Sequence, residues 1–266
     1  MTNYKKTAIL LVLTLTNFTV ACKKNADEKT TVPEVEKPVT VIEEKLLLPV
    51  QLGSGNSKIT FSYLENHSIS KIEYAAGKTT VMRYNTSGKP VALMKYKNDE
   101  LIAETDYRYD QNGLLTKGTK ILISGDDYVA AGYYTLGYSS TAQLTTISYF
   151  NADGKLLDTQ QKTYNSTGTL VTDKSNNASL MLNYGYDDKN GMFKLTNYGW
   201  LLALEQENSL FLSSESNIIS VTYPMKAELN MSYSYVYNGS KYPETITTTV
   251  NGKSTNEKVI YKEISK

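Results

Sequence analysis

The sequence predicts an all-β protein: an antiparallel meander of repeated β-hairpins that forms one large twisted, curled sheet, either an open barrel or a half-pipe. Three observations predict it. Large apolar residues alternate with polar ones, turn clusters of one recurring form separate these stretches, and the chain contains 22 tyrosines. Alternation is typical of a strand with two unlike faces, and aromatic residues suit a pleated surface. A sheet of about ten or more strands rarely stays flat, so we expect it to curl.

The first 21 residues have the form of a secretory signal peptide. Lys5 and Lys6 precede an apolar run over residues 8–20. That run is too short to span a bilayer, which requires roughly 20 apolar residues. Ala21 supplies the small residue that precedes a cleavage site. We therefore expect residues 1–21 to direct export and then to be removed.

The stretch Thr19-Val20-Ala21-Cys22 resembles the lipobox of bacterial lipoproteins, with threonine where leucine is usual. The resemblance implies that Cys22 carries covalent acyl (palmitate) and diacylglycerol lipid, and no other cofactor is expected. Cys22 is the only cysteine of the chain, so it has no disulfide partner within it. The alternative is an ordinary cleaved signal with an incidental cysteine. Several acyl chains would anchor the protein firmly to a membrane.

Residues 22–45 predict a disordered tether. The segment contains Pro33 and Pro38, dense charge of both signs and no aromatic residue, so it buries too little apolar surface to fold. Lys23 replaces the aspartate that retains many lipoproteins in the inner membrane. By resemblance, this indicates a lipid-anchored outer-membrane protein, on either the periplasmic or the cell-surface side.

The charge of the chain argues against a nucleic-acid partner. The net charge is +1, and it becomes −1 when Lys5 and Lys6 leave with the signal peptide. Arg83 and Arg108 are the only arginines, although arginine is the residue best suited to bidentate phosphate recognition. We expect a solvated surface on which charges of both signs are mixed.

Strands and turns can be placed along the rest of the chain. Alternating stretches predict strands that include residues 59–63, 107–109, 147–149, 184–186, 231–237 and 259–261. Between strands an aromatic residue is followed by Asn or Asp and, three residues later, by glycine; these clusters are Tyr84–Gly88, Tyr109–Gly113, Phe150–Gly154, Tyr164–Gly168 and, with one residue added, Tyr186–Gly191. Asn and Asp favour turns, and glycine accepts the positive φ that closes a hairpin.

These turns carry a family resemblance. The pattern Tyr-Asp/Asn-x-x-Gly-x-Leu resembles the YD repeat of Rhs-type proteins, and it is closer to Bacteroidota lipoproteins that carry such hairpins and have no assigned function. Three blocks extend the resemblance over about residues 55–262: residues 186–193, 216–223 and 233–243. The resemblance implies one YD-repeat-like β domain over residues 46–266 and an envelope location, but no activity.

One segment departs from the alternation. Residues 198–212 have apolar spacing closer to a helical period, which predicts a short helix that covers one end of the sheet. Trp200, the sole tryptophan, lies within it. We expect Trp200 to plug an open sheet edge; the alternative is that it lines a ligand pocket.

The residues indicate little catalytic chemistry, so we expect no enzyme activity. His67 is the only histidine and lies in a predicted turn, which leaves no His/Cys zinc cluster or catalytic triad. The pairs Asp126-Asp127 and Asp187-Asp188 are the remaining candidates. Two carboxylates suffice for a carboxylate-dependent hydrolase acting on polysaccharide, but both pairs also fit turns. We expect no metal site.

The main functional prediction is therefore a non-catalytic binding or structural module of the cell envelope. Its partner would be a glycan, a peptide or an envelope protein. Alternation places Tyr233, Tyr235 and Tyr237 on one face of one strand, where they either pack into the core or form an exposed ligand face.

Overall fold

A computed structural model describes residues 45–176 and 180–264 of the chain. The predicted signal peptide, Cys22 and all of the predicted tether except Lys45 lie outside the described residues. Within the described residues, no helix combines the length and the apolar character needed to cross a membrane.

The described residues contain sixteen antiparallel strands and one α-helix. The strands are β1 (Leu46–Leu52), β2 (Ile59–Tyr63), β3 (Ile69–Tyr74), β4 (Lys78–Tyr84), β5 (Pro90–Lys97), β6 (Glu100–Tyr109), β7 (Leu115–Ser124), β8 (Asp127–Tyr138), β9 (Leu144–Phe150), β10 (Leu156–Tyr164), β11 (Leu170–Ser175), β12 (Leu182–Tyr186), β13 (Ile218–Thr222), β14 (Met231–Tyr237), β15 (Pro243–Val250) and β16 (Lys253–Ile264). Helix α1 spans Gly199–Gln206, and a 3-10 turn at Ser209–Leu212 follows it. The predicted all-β class and the helix near residues 198–212 are confirmed.

The sheet closes into a barrel, which corrects the expectation of an open barrel or half-pipe. Every strand pairs with its sequence neighbours, and β1 also pairs with β16, from Leu46 opposite Ile264 to Leu52 opposite Val259. The hairpin pattern specifies only neighbouring pairs, so it does not reveal the pairing of the first and last strands. Closure removes the exposed strand edges of an open sheet.

Six of the turns that lead from an even-numbered strand to the next odd-numbered strand share one geometry. All six lie at the same rim of the barrel. In each, the first turn residue bonds through its N–H to the carbonyl four residues later, and its own carbonyl accepts the N–H three residues later. These turns begin at Leu64, Asn85, Asp110, Ser139, Asn165 and Asn238. The fourth residue has positive φ, as predicted for Gly113, where φ is 76°. Three copies lack the glycine of the repeat, because His67, Ala142 and Lys241 occupy this position. The sequence predicted a turn at His67, but not as a copy of the repeat, and the other two were not recognised.

The tyrosine before each turn ties neighbouring hairpins together at that rim, which we call the tyrosine rim. Each of these tyrosines ends an even-numbered strand, and five of their hydroxyls donate to a backbone carbonyl on the preceding odd strand. The bonds are Tyr63 to Pro49 (2.6 Å), Tyr84 to Ile69 (2.7 Å), Tyr109 to Pro90 (2.7 Å), Tyr138 to Leu115 (2.8 Å) and Tyr164 to Leu144 (2.7 Å). The conserved geometry explains why the repeat requires tyrosine rather than phenylalanine at these positions.

Two of the predicted turns lie elsewhere. The turn after Phe150 connects β9 to β10 and therefore lies at the opposite rim, although Gly154 has the expected positive φ of 80°. The cluster Tyr186–Gly191 does not close a hairpin; it begins the long connection between β12 and β13. Gly191 is required there by close packing, because a Cβ atom would lie 1.9 Å from the carbonyl oxygen of Ser214.

Candidate functional site

The connection between β12 and β13, residues 187–217, fills part of the barrel lumen, and we call it the plug. It includes α1 and the 3-10 turn, and its side chains bond to strands on several sides of the barrel. The predicted helix therefore lies inside the barrel instead of covering one end of a sheet. A closed sheet has no open edge for it to cover.

Glu205 anchors the helix to one side of the wall. Its side chain is 2% exposed and accepts hydrogen bonds from Tyr134 at 2.7 Å and Thr105 at 3.4 Å. Lys120 Nζ lies 3.9 Å from the same carboxylate, and Lys95 Nζ donates to the backbone carbonyl of Glu205 at 2.6 Å. Burial lowers the pKa of Lys95. Strands β5 to β8 thus hold the helix through a polar cluster.

Further bonds fix the rest of the plug. Gln206 Oε1 accepts hydrogen bonds from Tyr74 at 3.2 Å and Thr80 at 3.3 Å, on β3 and β4. At the base of the plug, the fully buried Asn217 donates to the carboxylate of Asp187 at 3.1 Å and accepts from the backbone N–H of Met192 at 2.9 Å. The plug is thus held both at its base and at its far end.

A cavity of about 960 Å³ lies between the plug and the wall formed by strands β6 to β14. Its lining includes apolar side chains such as Leu144 and Ile147, and Trp200 and Leu204 from the plug. Exposed residues of the tyrosine rim, Ala142 among them, also line it, so the cavity reaches solvent at that rim. The volume falls in the range of about 300–1,000 Å³ that is typical of ligand pockets.

The inner faces of β10 and β11 contribute a polar wall to this cavity. Lys162 and Asp173 face each other in register and form an ion pair, and both line the cavity together with Gln160. Asp173 is 6% exposed, and its Oδ1 atom has no hydrogen-bond partner among the described residues. Tyr149 donates to the side-chain carbonyl of Gln160 at 3.1 Å. We call Gln160, Lys162 and Asp173 the polar stripe.

Tyrosines surround the stripe. Burial raises the pKa of Tyr138 and of Tyr164 to about 12. Burial also raises the pKa of Tyr149 and Tyr184, with nearby carboxylates, Asp173 first, acting in the same direction. Their phenols therefore remain protonated at neutral pH, and those of Tyr138, Tyr149 and Tyr164 already donate within the protein.

The three predicted ligand-face tyrosines lie on the inner face of β14. Tyr233 is 7% exposed, and its hydroxyl lies 3.2 Å from Ser209 Oγ of the plug. Tyr235 donates to the carbonyl of Ile218, and Tyr237 donates to Asp187. Their hydroxyls thus bond within the protein, which favours the packing interpretation. A ligand-binding role for them stays a prediction.

The other candidate residues are dispersed. His67 occupies the β2–β3 turn at the tyrosine rim, with φ of 63°. Asp126 and Asp127 form the β7–β8 turn at the opposite rim, whereas Asp187 and Asp188 lie at the base of the plug. Since the two acid pairs lie at opposite rims, they do not face each other across a cleft. No cluster of three or more His, Cys, Asp or Glu side chains suited to a metal ion occurs within residues 45–176 and 180–264.

Sequence reasoning missed the polar stripe and Glu205. One signal for the stripe exists: β10 carries Asp158, Gln160 and Lys162 on one face and Thr159, Gln161 and Thr163 on the other, so neither face is apolar. A strand that is polar on both faces conflicts with burial of either one. Trp200 is half-buried and lines the cavity. Contrary to our expectation, it therefore does not plug an open sheet edge, and its position fits the alternative that it lines a pocket.

No protein-family model matches this chain, and no curated protein matches its sequence. Solved structures are similar to it. A porin-like protein from Bacteroides vulgatus is 12% identical, with 81% of this chain and 99% of that chain covered and a TM-score of 0.49. A porin-like protein from Bacteroides uniformis is 13% identical, with 81% and 98% covered and a TM-score of 0.37. TcdB2-TccC3 without its hypervariable C-terminal region is 12% identical, with 75% of this chain but 9% of that chain covered and a TM-score of 0.31.

Proposed function

We propose that this protein is a non-catalytic, lipid-anchored protein of the cell envelope whose barrel binds a small molecule in its lumen. The observation that carries the proposal is the cavity of about 960 Å³ between the plug and the wall. Protein interiors are close-packed, and voids larger than a water molecule are few. A void of this size, with polar groups in its wall and access to solvent at one rim, is typical of a ligand site.

The outward face of the barrel supports anchoring by lipid rather than by the wall. Along each strand, the residues that alternate with the inward-facing ones point outward and are mainly polar or charged. Examples are Thr79, Arg83, Asp106, Arg108, Thr119, Gln161, Thr163, Lys174, Ser232, Ser234, Thr247 and Lys258. Among the exposed apolar residues, Val236 pairs with Thr245 and Ile260 with Gln51, while Leu122 pairs with Val129 near the opposite rim. A wall in contact with lipid carries a continuous apolar band, so this surface suits water.

Fluorescence of the sole tryptophan tests the binding proposal, because Trp200 lines the cavity. We would titrate the purified full-length protein with the uncharged dye N-phenyl-1-naphthylamine and follow energy transfer from Trp200. We expect saturable binding at one site. Ala203→Phe, which fills part of the cavity, should weaken it, whereas Val236→Phe on the exposed outer face should leave it unchanged. Unsaturable transfer, or equal binding by all three proteins, would contradict a lumenal site.

The anchor requires a separate experiment. Cys22→Ala should move the protein from the membrane fraction to the soluble fraction and abolish labelling by a fatty-acid probe. Asn25→Ala, in the same segment, serves as the matched control and should behave like the wild type. Labelling that persists without Cys22 would overturn the lipoprotein proposal.

A further inference from the structure

The polar stripe differs from the other polar residues of the lumen. Inner polar side chains on β4 to β7, such as Thr80, Thr105 and Lys120, contact the plug. Gln160, Lys162 and Asp173 bond to none of the described plug residues and line the cavity instead. Burying polar groups lowers stability unless they are fully paired, so barrel packing alone does not account for them.

The stripe is only partly paired. Lys162 and Asp173 neutralise each other, and Gln160 uses its carbonyl oxygen to accept from Tyr149. The Oδ1 atom of Asp173 has no partner among the described residues, but it is itself fully buried. Gln160 lines the cavity, and its amide nitrogen donates to none of the described residues. The cavity wall therefore offers an unused amide donor on β10, beside the Lys162–Asp173 ion pair.

Two phenols and an aromatic surface complete the wall. Tyr184 and Tyr186 line the same cavity, and their hydroxyls have no hydrogen-bond partner among residues 45–176 and 180–264. Trp200 and Leu204 of the plug supply apolar surface to the cavity. A ligand that fits has an apolar face together with several hydroxyl groups at its edge, each able to donate and to accept.

The charges of the cavity disfavour an anion. Lys162 is paired with Asp173, and Lys120 faces Glu205 at 3.9 Å. Glu207 and Glu215, both exposed, also line the cavity. A phosphate or a carboxylate would therefore meet negative potential where the cavity reaches solvent and no unpaired cation inside.

We infer that the cavity binds an uncharged carbohydrate, with Gln160 and Tyr184 bonding to its hydroxyls and Trp200 contacting the apolar face of a sugar ring. The inference rests on the proposed lumenal site and names its ligand class. The unpaired amide of Gln160 and the unpaired phenol of Tyr184 are then satisfied when the sugar is bound.

Calorimetric titration of the full-length protein tests the inference. The probes are glucose, galactose, mannose, N-acetylglucosamine and their β-linked disaccharides, with glucuronate as the charged comparison. We expect at least one neutral sugar to bind and glucuronate to bind more weakly. Tyr184→Phe should weaken sugar binding by about three- to tenfold, because one hydrogen bond is lost. The same substitution at an exposed position, Tyr128→Phe, should have no effect.

A second variant and the dye keep the outcomes distinct. Gln160→Leu removes the amide but leaves the Lys162–Asp173 ion pair, so it tests the polar stripe even if Tyr184→Phe folds poorly; it too should weaken sugar binding and spare dye binding. If the dye binds in the lumen but none of the neutral sugars does, the carbohydrate inference fails and the lumenal site stands. If neither binds, both fail. Sugar binding that survives both Gln160→Leu and Tyr184→Phe, or stronger binding of glucuronate, also overturns the inference.

Discussion

The two halves of the lumen are built from the same hairpin repeat but are filled differently. On the side of β2 to β5, Phe61 packs edge-on against Phe193 of the plug, with ring centroids 5.5 Å apart, and Phe193 stacks on Phe211 at 5.0 Å. On the side of β9 to β12, the plug stands away from the wall and leaves the cavity. The repeat fixes the backbone and the rim, while the inward side chains decide whether a strand packs or leaves space for a ligand.

Alkaline pH is expected to have the largest effect, because many tyrosines act together. Burial raises the pKa of Tyr138 and Tyr164 from 10.0 to about 12. Because the pKa is raised in the folded protein, the buried protonated phenols contribute stability that is complete below pH 10. This contribution is lost as pH rises through about 12. We expect cooperative unfolding in this window, with tyrosinate absorbance and circular dichroism changing together. Full tyrosine ionisation near pH 10 in a folded barrel would contradict the burial of these rings.

Shortening a side chain in the packed half of the lumen should give the next largest loss of stability. Phe193→Ala should lower the free energy of unfolding by about 3–5 kcal/mol, because a fully packed ring leaves a cavity. Leu204→Ala, on the cavity side of the plug, should cost no more than about 1 kcal/mol, since its side chain is already partly free of contacts. Urea unfolding followed by circular dichroism measures both. Equal losses would mean that the two halves are packed alike.

The polar cluster that fixes the helix gives an intermediate effect. Glu205→Gln should destabilise the protein by about 1–3 kcal/mol, because the buried charge-assisted bonds from Tyr134 and Thr105 are weakened. Glu207→Gln makes the same change at an exposed position next to α1 and should cost less than about 0.5 kcal/mol. The same urea assay compares them. If Glu205→Gln is neutral, the cluster does not hold the plug in place.

The rim bonds should give the smallest effect, and the same effect in both halves. Tyr84→Phe on the packed side and Tyr138→Phe on the cavity side each remove one hydroxyl donor from a backbone carbonyl. Each should cost about 1 kcal/mol, the usual contribution of one hydrogen bond. Thermal melting of both variants measures this. A large loss on one side only would show that the tyrosine rim is not a uniform repeat.

Much of the strand pattern could be predicted because it is local. Alternation over residues 231–237 predicted the bounds of β14, and the Asn/Asp and glycine spacing located the turns at Gly88, Gly113 and Gly168. The turn at His67 was predicted, but not as a copy of the repeat, and the turns at Ala142 and Lys241 were missed, because residues other than glycine adopt positive φ there. In those copies the surrounding hairpin enforces a conformation that the residue itself does not favour.

The candidate site could not be predicted in the same way. Asp173 and Lys162 are polar residues on neighbouring strands, and nothing local distinguishes an inward-facing ion pair from a solvated one. Their inward direction depends on the side of the sheet that encloses the plug. The one local signal was that β10 carries polar residues on both of its faces, which indicates that its inner face does more than pack.

The sequence by itself determined the all-β class, the run of hairpins and the position of the helical segment, because period-two alternation and turn chemistry act over a few residues. Tertiary structure alone decided the closure of the barrel, the insertion of the plug and the cavity beside it. Closure joins residues far apart in the chain, as Lys45 and Glu263, 218 positions apart, illustrate at 2.9 Å. Such contacts depend on the accumulated twist and curl of sixteen strands, which no short pattern records.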